Sequence, residues 1–401
     1  MALRFLTAGE SHGPAFVAII EGLPAGLDLP ESAINQHLSR RQRGMGSGAR
    51  MKMEKDRVRI LSGVMEGKTI GSPVALMIEN KVHRDWIDKP IQSFPIPRPG
   101  HADLAGLVKY GFSDIRPVLE RASARETSIR VAVGAICRKL LHEFGISIGG
   151  YVASLGTVEA EVESIPIENR FVLAEENELR CPDVQAVPLM RDLIQRAIDE
   201  KETLGGIIEV IALGLPAGLG SYVHWDRRLD ARLGAAILGV QAMKGVEIGS
   251  AFQNTRSFGT KVHDAIYLEG DQLVRKTNRC GGLEGGVSNG QPLVVRVAMK
   301  PIPTTLTPQL SVNLITGVES ETRYERSDIC PVPRAVPVLE AVVAYVLADA
   351  LVEKLGGDSI DEMQVRFTHL RKASLSDLLI EDREHYFWQS SNENETGDEV
   401  R

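Results

Sequence analysis

The sequence predicts a mixed α and β fold, and three observations carry that prediction. Nearly continuous, β-branched runs at 74–78, 207–213 and 293–298 read as strands buried on at least one side. Two long helical patterns follow. In 123–144 the apolar residues Ile129, Val133, Ile136, Leu140 and Leu141 recur at helical spacing, and Gly145 offers a left-handed stop. The segment 335–355 is apolar almost throughout and ends at Gly356-Gly357, the pattern of a buried central helix. Strands and helices mix in both halves of the chain, and they do so in a repeated order.

That repeat is explicit. Residues 16–27 run as an apolar strand into Pro24-Ala25-Gly26-Leu27 and then the helical 31–41. Residues 207–219 run into Pro216-Ala217-Gly218-Leu219 and then the helical 226–242. Gly71-Ser72-Pro73 introduces one strand as Gly290-Gln291-Pro292 introduces another, and Leu119–Ser123 precedes a long helix as Tyr324–Asp328 does. Three matches in one order predict a duplicated strand–helix–strand unit within a single domain over 1–380. From Glu381 onward the chain turns polar and acidic, and 381–401 is expected to be a disordered tail.

Composition narrows the function. With 401 residues, 43% apolar and 25% charged, the chain has the make-up of a folded protein with a sizeable core. The strongest apolar run, 207–219, carries Glu209, two glycines and Pro216, so no membrane span is expected. Met1-Ala2-Leu3-Arg4-Phe5 leads into a Gly/Ser/His turn without a basic-then-apolar leader, and the simplest reading is a cytoplasmic protein. A net charge of −7 argues against a bulk nucleic-acid binder. Cys137, Cys181, Cys280 and Cys330 are scattered, without metal spacing, and read as reduced thiols, so no metal site is expected. Glycine, at 38 residues, exceeds the usual ~7%, and its clustering suggests backbone held close to a ligand.

Two motifs are decoys. The segment 63–69 imitates a phosphate-binding loop but is one residue short and precedes a strand-like run. The segment 44–49 imitates a dinucleotide turn but follows a charged helix. The latter stretch is informative in another way. Arg40, Arg41, Arg43, Arg50 and Lys52 lie in an acid-free, glycine-interleaved loop suited to a small, densely anionic ligand. A solvated basic loop and an RNA-binding arginine/glycine segment are the competing readings, the latter weakened by the absence of interleaved aromatics.

Other turns reinforce the ligand reading. Gly9-Glu10-Ser11-His12-Gly13 sets a Ser and a His on a glycine-flanked turn, and Pro95, Pro97 and Pro99 stiffen the loop carrying Arg98 and His101. Glu120–Thr127 opens a helix, where backbone N–H groups favour an anion. A glycine loop over 281–290 and Lys300-Pro301-Ile302-Pro303-Thr304 follow in the second half, then Glu325-Arg326-Ser327-Asp328 before the central helix.

Gly9–Gly13, Arg98-Pro99-Gly100-His101-Ala102-Asp103, Arg121-Ala122-Ser123-Ala124-Arg125-Glu126-Thr127, Gly285-Gly286 with Ser288-Asn289-Gly290, and Glu325–Asp328 together resemble the signatures of the chorismate synthase family. The resemblance runs from about residue 3 to about residue 371. It implies an α+β fold, a β-α-β sandwich with a helical layer between two antiparallel sheets and internal pseudo-symmetry. It implies a carbon–oxygen lyase that eliminates phosphate from 5-enolpyruvylshikimate 3-phosphate in a 1,4-anti sense to give chorismate, with reduced FMN and no net redox change. It also implies a homotetramer.

Residue by residue, the resemblance implies that Arg41, Arg50, Arg98 and Arg125 bind the substrate's anionic groups. His12 would protonate the departing phosphate and His101 would protonate or stabilise the reduced flavin, with Ser11 and Ser123 assisting proton relay and Asp328 helping the flavin accept the substrate proton. FMN would rest against Arg121, Ala122, Ser123, Gln241, Ala242, Gly285, Lys300, Pro301, Ile302, Pro303, Thr304 and Arg326. Ser47 stands where many relatives carry a basic residue associated with nicotinamide phosphate, so NADPH is expected to act only through a separate flavin-reducing system. Another small phosphorylated substrate on the same fold is the second reading.

Overall fold

The computed structural model describes residues 2–45, 55–325, 328–385 and 387–388. The tail expected over 381–401 lies mostly outside them, as do Ser47, Arg50, Lys52 and Arg326.

In the N-terminal half the elements run β1 (Arg4–Ala8), β2 (Ala15–Glu21), α1 (Glu31–Gln42), β3 (Val58–Ser62), the two-residue strands β4 (Val64–Met65) and β5 (Lys68–Thr69), β6 (Val74–Glu79), α2 (Asp103–Tyr110), α3 (Arg116–Ala122) and α4 (Thr127–His142). The C-terminal half runs β7 (Ser147–Leu155), β8 (Val158–Glu159), α5 (Ile167–Glu175), α6 (Ala186–Asp199), β9 (Gly206–Leu213), α7 (Leu229–Leu238) and β10 (Met243–Ile248). A hairpin of β11 (Ile266–Glu269) and β12 (Gln272–Arg275) follows, then β13 (Leu283–Glu284), β14 (Val287–Ser288) and β15 (Leu293–Met299). The hairpin β16 (Leu310–Asn313) and β17 (Val318–Glu321) leads to α8 (Val332–Leu355) and α9 (Ile360–Thr368).

Two antiparallel sheets organise these elements, in the orders β1-β2-β6-β3 and β10-β15-β9-β7-β8. Their registers correspond. Ile20 pairs with Val74, four residues before Pro24 and one after Pro73. Ala212 pairs with Leu293, in the same relation to Pro216 and Pro292. Phe5 faces Ile20 as Ile148 faces Ala212, and Ile60 faces Leu76 as Ile248 faces Val295.

A hydroxyl clip recurs as well. Thr69 Oγ1 accepts from Leu27 N at 2.9 Å and donates to Pro24 O at 2.6 Å. Ser288 Oγ accepts from Leu219 N at 2.8 Å and donates to Pro216 O at 2.6 Å.

The two long helices form as their apolar patterns predict. A 3-10 turn at Ala124–Glu126 precedes α4, and Gly145 beyond its end has φ of 72°. The more apolar α8 is long enough to cross a membrane, but 89% of its most apolar window is buried inside the protein. It packs on α4, β7 and β9, whereas α4 packs on β1, β2 and β6. One continuous core joins Leu3, Phe16 and Ile34 to Leu339, Val343 and Met363.

At Gly134, α4 and α8 approach closely. A Cβ there would come 2.2 Å from Ala341 Cβ and 2.4 Å from its Cα. Gly134→Val is therefore expected to push the helices apart and cost at least ~1–3 kcal/mol, read as a lower urea midpoint at unchanged slope.

The outer faces of the two sheets differ. On the five-stranded sheet, Tyr151, Ala153 and Ile211 are covered by Phe171 and Ala174 of α5, which explains why β7 is buried from Ile148 to Leu155. On the four-stranded sheet, Leu6, Val17 and Ile19 remain exposed.

Candidate active site

The turn between β1 and β2 is shaped by Gly9, whose φ of 119°, and the 2.4 Å that a Cβ there would have from Ala15 O, exclude a side chain. Asn80 pins it by donating from Nδ2 to Glu10 O and Gly13 O. Buried Ser11 donates its backbone N–H to Glu120 O at 3.1 Å. His12 is held at more points. Its backbone N–H donates to Glu120 Oε2 at 2.8 Å, and its Nδ1 lies 2.9 and 3.1 Å from the two carboxylate oxygens of Glu120. Its ring stacks on Trp86 at 4.0 Å. Burial opposes ionisation of Glu120, but the hydrogen bonds from His12 and the nearby Arg116 charge hold its carboxyl below the usual range.

The proline-stiffened loop carries a second histidine–carboxylate pair. Asp103, fully buried at the start of α2, accepts from Arg98 N at 3.0 Å, Arg98 Nε at 2.8 Å and Arg98 Nη2 at 3.0 Å. His101 Nδ1 lies 2.5 Å from Asp103 Oδ1. Burial opposes ionisation of Asp103 as well, yet the His101 and Arg98 hydrogen bonds hold its carboxyl well below the ordinary value. The 300–304 segment seats on this loop. Lys300 Nζ donates to Gly100 O at 2.6 Å, Arg98 Nη1 donates to Thr304 Oγ1 at 3.3 Å, and Thr203 Oγ1 donates to Ile302 O. Pro303 packs near Gly100, and Pro301 near Gly205.

A third group gathers where α1 ends and where α4 and α8 begin. Arg125 makes a bidentate pair with Asp56 at 2.7 and 3.0 Å. Arg41 donates to Thr127 Oγ1 and to Ala124 O, with Asp56 3.5 Å from its Nη1. Arg334 donates to Asp328 and to Arg41 O. Burial, and the neighbouring Arg334 and Arg125 charges, push Arg41 down, against the pull of Asp56. Among the described residues three guanidinium groups thus face two carboxylates, with the N-terminal ends of two long helices beside them.

The basic loop read from the sequence divides. Arg40 is an internal structural cation, bonded to Glu340 at 2.6 Å and Glu175 at 2.7 Å, and Arg43 pairs with Glu175. Only Arg41 of the described arginines in that stretch joins the cluster at the helix ends.

The other expected positions are distributed as follows. Exposed Arg121 ties Gly9 O and Thr7 O together, Ala122 ends α3, and Ser123 Oγ accepts from Arg125 N. Gln241 Oε1 is buried without a hydrogen-bond partner among the described residues. Ala242 takes a left-handed φ of 69°, and its O accepts from Lys300 N. Gly285 turns the β13–β14 hairpin ahead of β15, and Lys300 follows the end of that strand. Among the described residues no cluster of three His, Cys, Asp or Glu could hold a metal.

Glu120, Asp103, Asp56, Trp86 and Arg334 were not foreseen as members of the site. Asp103 had a local signal, an acid two residues after a histidine in a stiff loop. Glu120 and Asp56 reach their partners across sequence separations of 108 and 69 residues, which no local pattern announces.

A family model described as chorismate synthase matches residues 3–352. The chain belongs to the chorismate synthase family. The chorismate synthase of Desulforudis audaxviator is 52% identical over 371 residues, covering 90% of this chain and 95% of that protein. That of Aquifex aeolicus is 51% identical over 385 residues, covering 91% and 96%. A crystal structure of chorismate synthase superposes with a TM-score of 0.76 at 45% identity, covering 92% of this chain and 97% of the other. The mixed α and β fold is thus a chorismate synthase fold. Family membership also favours the small anionic ligand over nucleic acid for the arginines around Arg41.

Proposed function

We propose that this chain converts 5-enolpyruvylshikimate 3-phosphate to chorismate, using His12, His101 and the Arg41–Arg125–Arg334 cluster. In this reaction one C–H and one C–O bond break and a second ring C=C forms. A proton and phosphate leave, so no net redox change results. The observation that carries the reading is the His12–Glu120 pair, in a chain that is about half identical to chorismate synthases over 90% of its length.

The substrate brings one phosphate and two carboxylates, and a cluster of three arginines against two acids suits it. Arg41 and Arg125 would bind these groups, and Asp56 would then share or yield its hold on Arg125. Arg98 stiffens the His101 loop through Asp103 and would reach substrate only from within that pair. Because Nδ1 of His12 faces Glu120, the proton for the departing phosphate comes from Nε2. Ser11 and Ser123 would order the proton path, and Asp328, held by Arg334, would help the bound flavin accept the substrate proton.

The residues fit reduced FMN. Gln241 Oε1, without a hydrogen-bond partner among the described residues, would accept from the group, and Lys300 and His101 would add donors beside Ala242. Arg121, Ala122, Ser123, Gln241, Ala242 and Lys300–Thr304 would hold the cofactor. Bound there, reduced FMN would supply transient electron density for the elimination, with no net redox change.

The chain is read as one domain over 1–380 with a duplicated half and a helical layer between its sheets, supported by the matched registers and the paired hydroxyl clips. It is read as a cytoplasmic homotetramer, for which bare Leu6, Val17 and Ile19 supply one contact face.

An anaerobic assay following chorismate and phosphate together tests the function. Equal release of both is expected with dithionite-reduced FMN and none with oxidised FMN. FMN with NADPH alone should be far slower, because a separate system reduces the flavin. Folded, FMN-binding protein that releases phosphate from another ester, and no chorismate, would overturn the reading in favour of a different phosphorylated substrate.

A further inference from the structure

One carboxylate holds His12 at two atoms. Glu120 takes the backbone N–H at 2.8 Å on Oε2 and faces the ring Nδ1 with both oxygens. Backbone and ring are thereby tied to one group, which orients the imidazole. Trp86 covers one ring face at 4.0 Å, and His83 Nδ1 donates to His12 O at 2.9 Å. Glu120 is itself fixed. It sits in α3, with Arg116 3.7 Å away one turn earlier, and its own backbone O receives Ser11 N. An ionised carboxylate only accepts, so the hydrogen facing it must be carried by Nδ1.

We propose that Glu120 is a positioning residue for the elimination. It fixes the Nδ1–H tautomer and the ring orientation of His12, so that Nε2 is the nitrogen that exchanges a proton with the departing phosphate. This rests on the lyase reading above only for its kinetic consequence. A purely structural Glu120 would staple α3 to the β1–β2 turn and nothing more.

Glu120→Gln separates the two roles. Its amide oxygen still accepts from His12 N, so the staple survives, while its NH2 group can donate to Nδ1 and place the hydrogen on Nε2. Two readouts follow. With saturating reduced FMN, kcat is expected to fall on the order of 10²-fold, with KM for substrate changing by less than about 3-fold. Diethylpyrocarbonate acylates the unprotonated nitrogen of a neutral imidazole. At about pH 8, where free imidazole is neutral, carbethoxylation of His12, localised by peptide mass spectrometry, is expected to slow by roughly tenfold or more, since 1.4 kcal/mol of tautomer preference suffices. Glu120→Asp keeps the charge but withdraws it by one methylene, and both values should fall between those of wild type and E120Q.

Wild-type kcat and wild-type carbethoxylation in folded E120Q would overturn the assignment. Should E120Q fail to fold, wild-type values of both in E120D overturn it equally. The chemical readout needs no turnover. A chain that makes no chorismate but shows slowed carbethoxylation in E120Q loses the lyase reading and keeps the Glu120–His12 tautomer lock. Chorismate formation with unchanged carbethoxylation does the reverse.

Discussion

His12→Ala is expected to lower kcat for chorismate formation by about 10²–10⁴-fold while leaving the fold and FMN binding in place. The rate effect follows from what the imidazole does. Phosphate leaves readily when a proton arrives in the same step, and in the proposed reading His12, held by Glu120 and Trp86, supplies it. The small structural effect follows from its position. His12 lies on a turn pinned by Asn80 and by the backbone of Ser11, and neither contact uses the imidazole. Chorismate and phosphate should fall together, and added imidazole should restore part of the rate. A loss of FMN binding equal to the loss of rate would instead place His12 in the cofactor's support.

The second large effect is on stability. Asp103→Ala is expected to cost about 3–5 kcal/mol, because it leaves the buried Arg98 guanidinium without its counter-charge and removes the acceptor facing His101 Nδ1. Urea unfolding monitored by tryptophan fluorescence would measure it. The pH dependence has a definite sign. The native Asp103 carboxyl lies below its ordinary value, against the cost of burial, because His101 and Arg98 hydrogen-bond its charged form. Its contribution is therefore complete above about pH 4, the unfolded value, and declines as pH falls toward the lower native one. The Ala variant should lack that acid-limb slope. An unchanged slope would mean that Asp103 is not the carboxylate that titrates there.

Much of this architecture is written locally in the chain. The spacing of Ile129, Val133, Ile136 and Leu140 makes α4, Gly145 stops it, and the apolar run to Gly356 makes α8. Pro24 and Pro216, Pro73 and Pro292 mark the strand ends whose pairing the two sheets share. Sheet order was not legible, because register is decided by partners far along the chain. Nor was the cover over Tyr151 and Ile211, since α5 is a weakly patterned helix whose apolar residues acquire meaning only against β7.

The site divides in the same way. His12 and His101 stand out because glycine and proline frame them. Glu120 and Asp56 do not, because a carboxylate in a helix or a loop looks like any solvated one until its partner arrives. Arg40 shows the opposite error of local reading. A cation in a basic, glycine-rich run invites a ligand, yet the fold turns it inward onto Glu340, which is itself buried and also paired with Arg138.

The central claim is that substrate binds where the two histidine–carboxylate pairs and the Arg41–Arg125–Arg334 cluster lie. The most direct measurement is a structure of the chain with 5-enolpyruvylshikimate 3-phosphate and oxidised FMN, a pair that does not turn over. The account predicts a phosphate oxygen within ~3.2 Å of His12 Nε2 and the substrate carboxylates on Arg41 or Arg125. Substrate bound instead in the groove between α1 and α4, against His37, Arg138, Lys139 and His142, would contradict it.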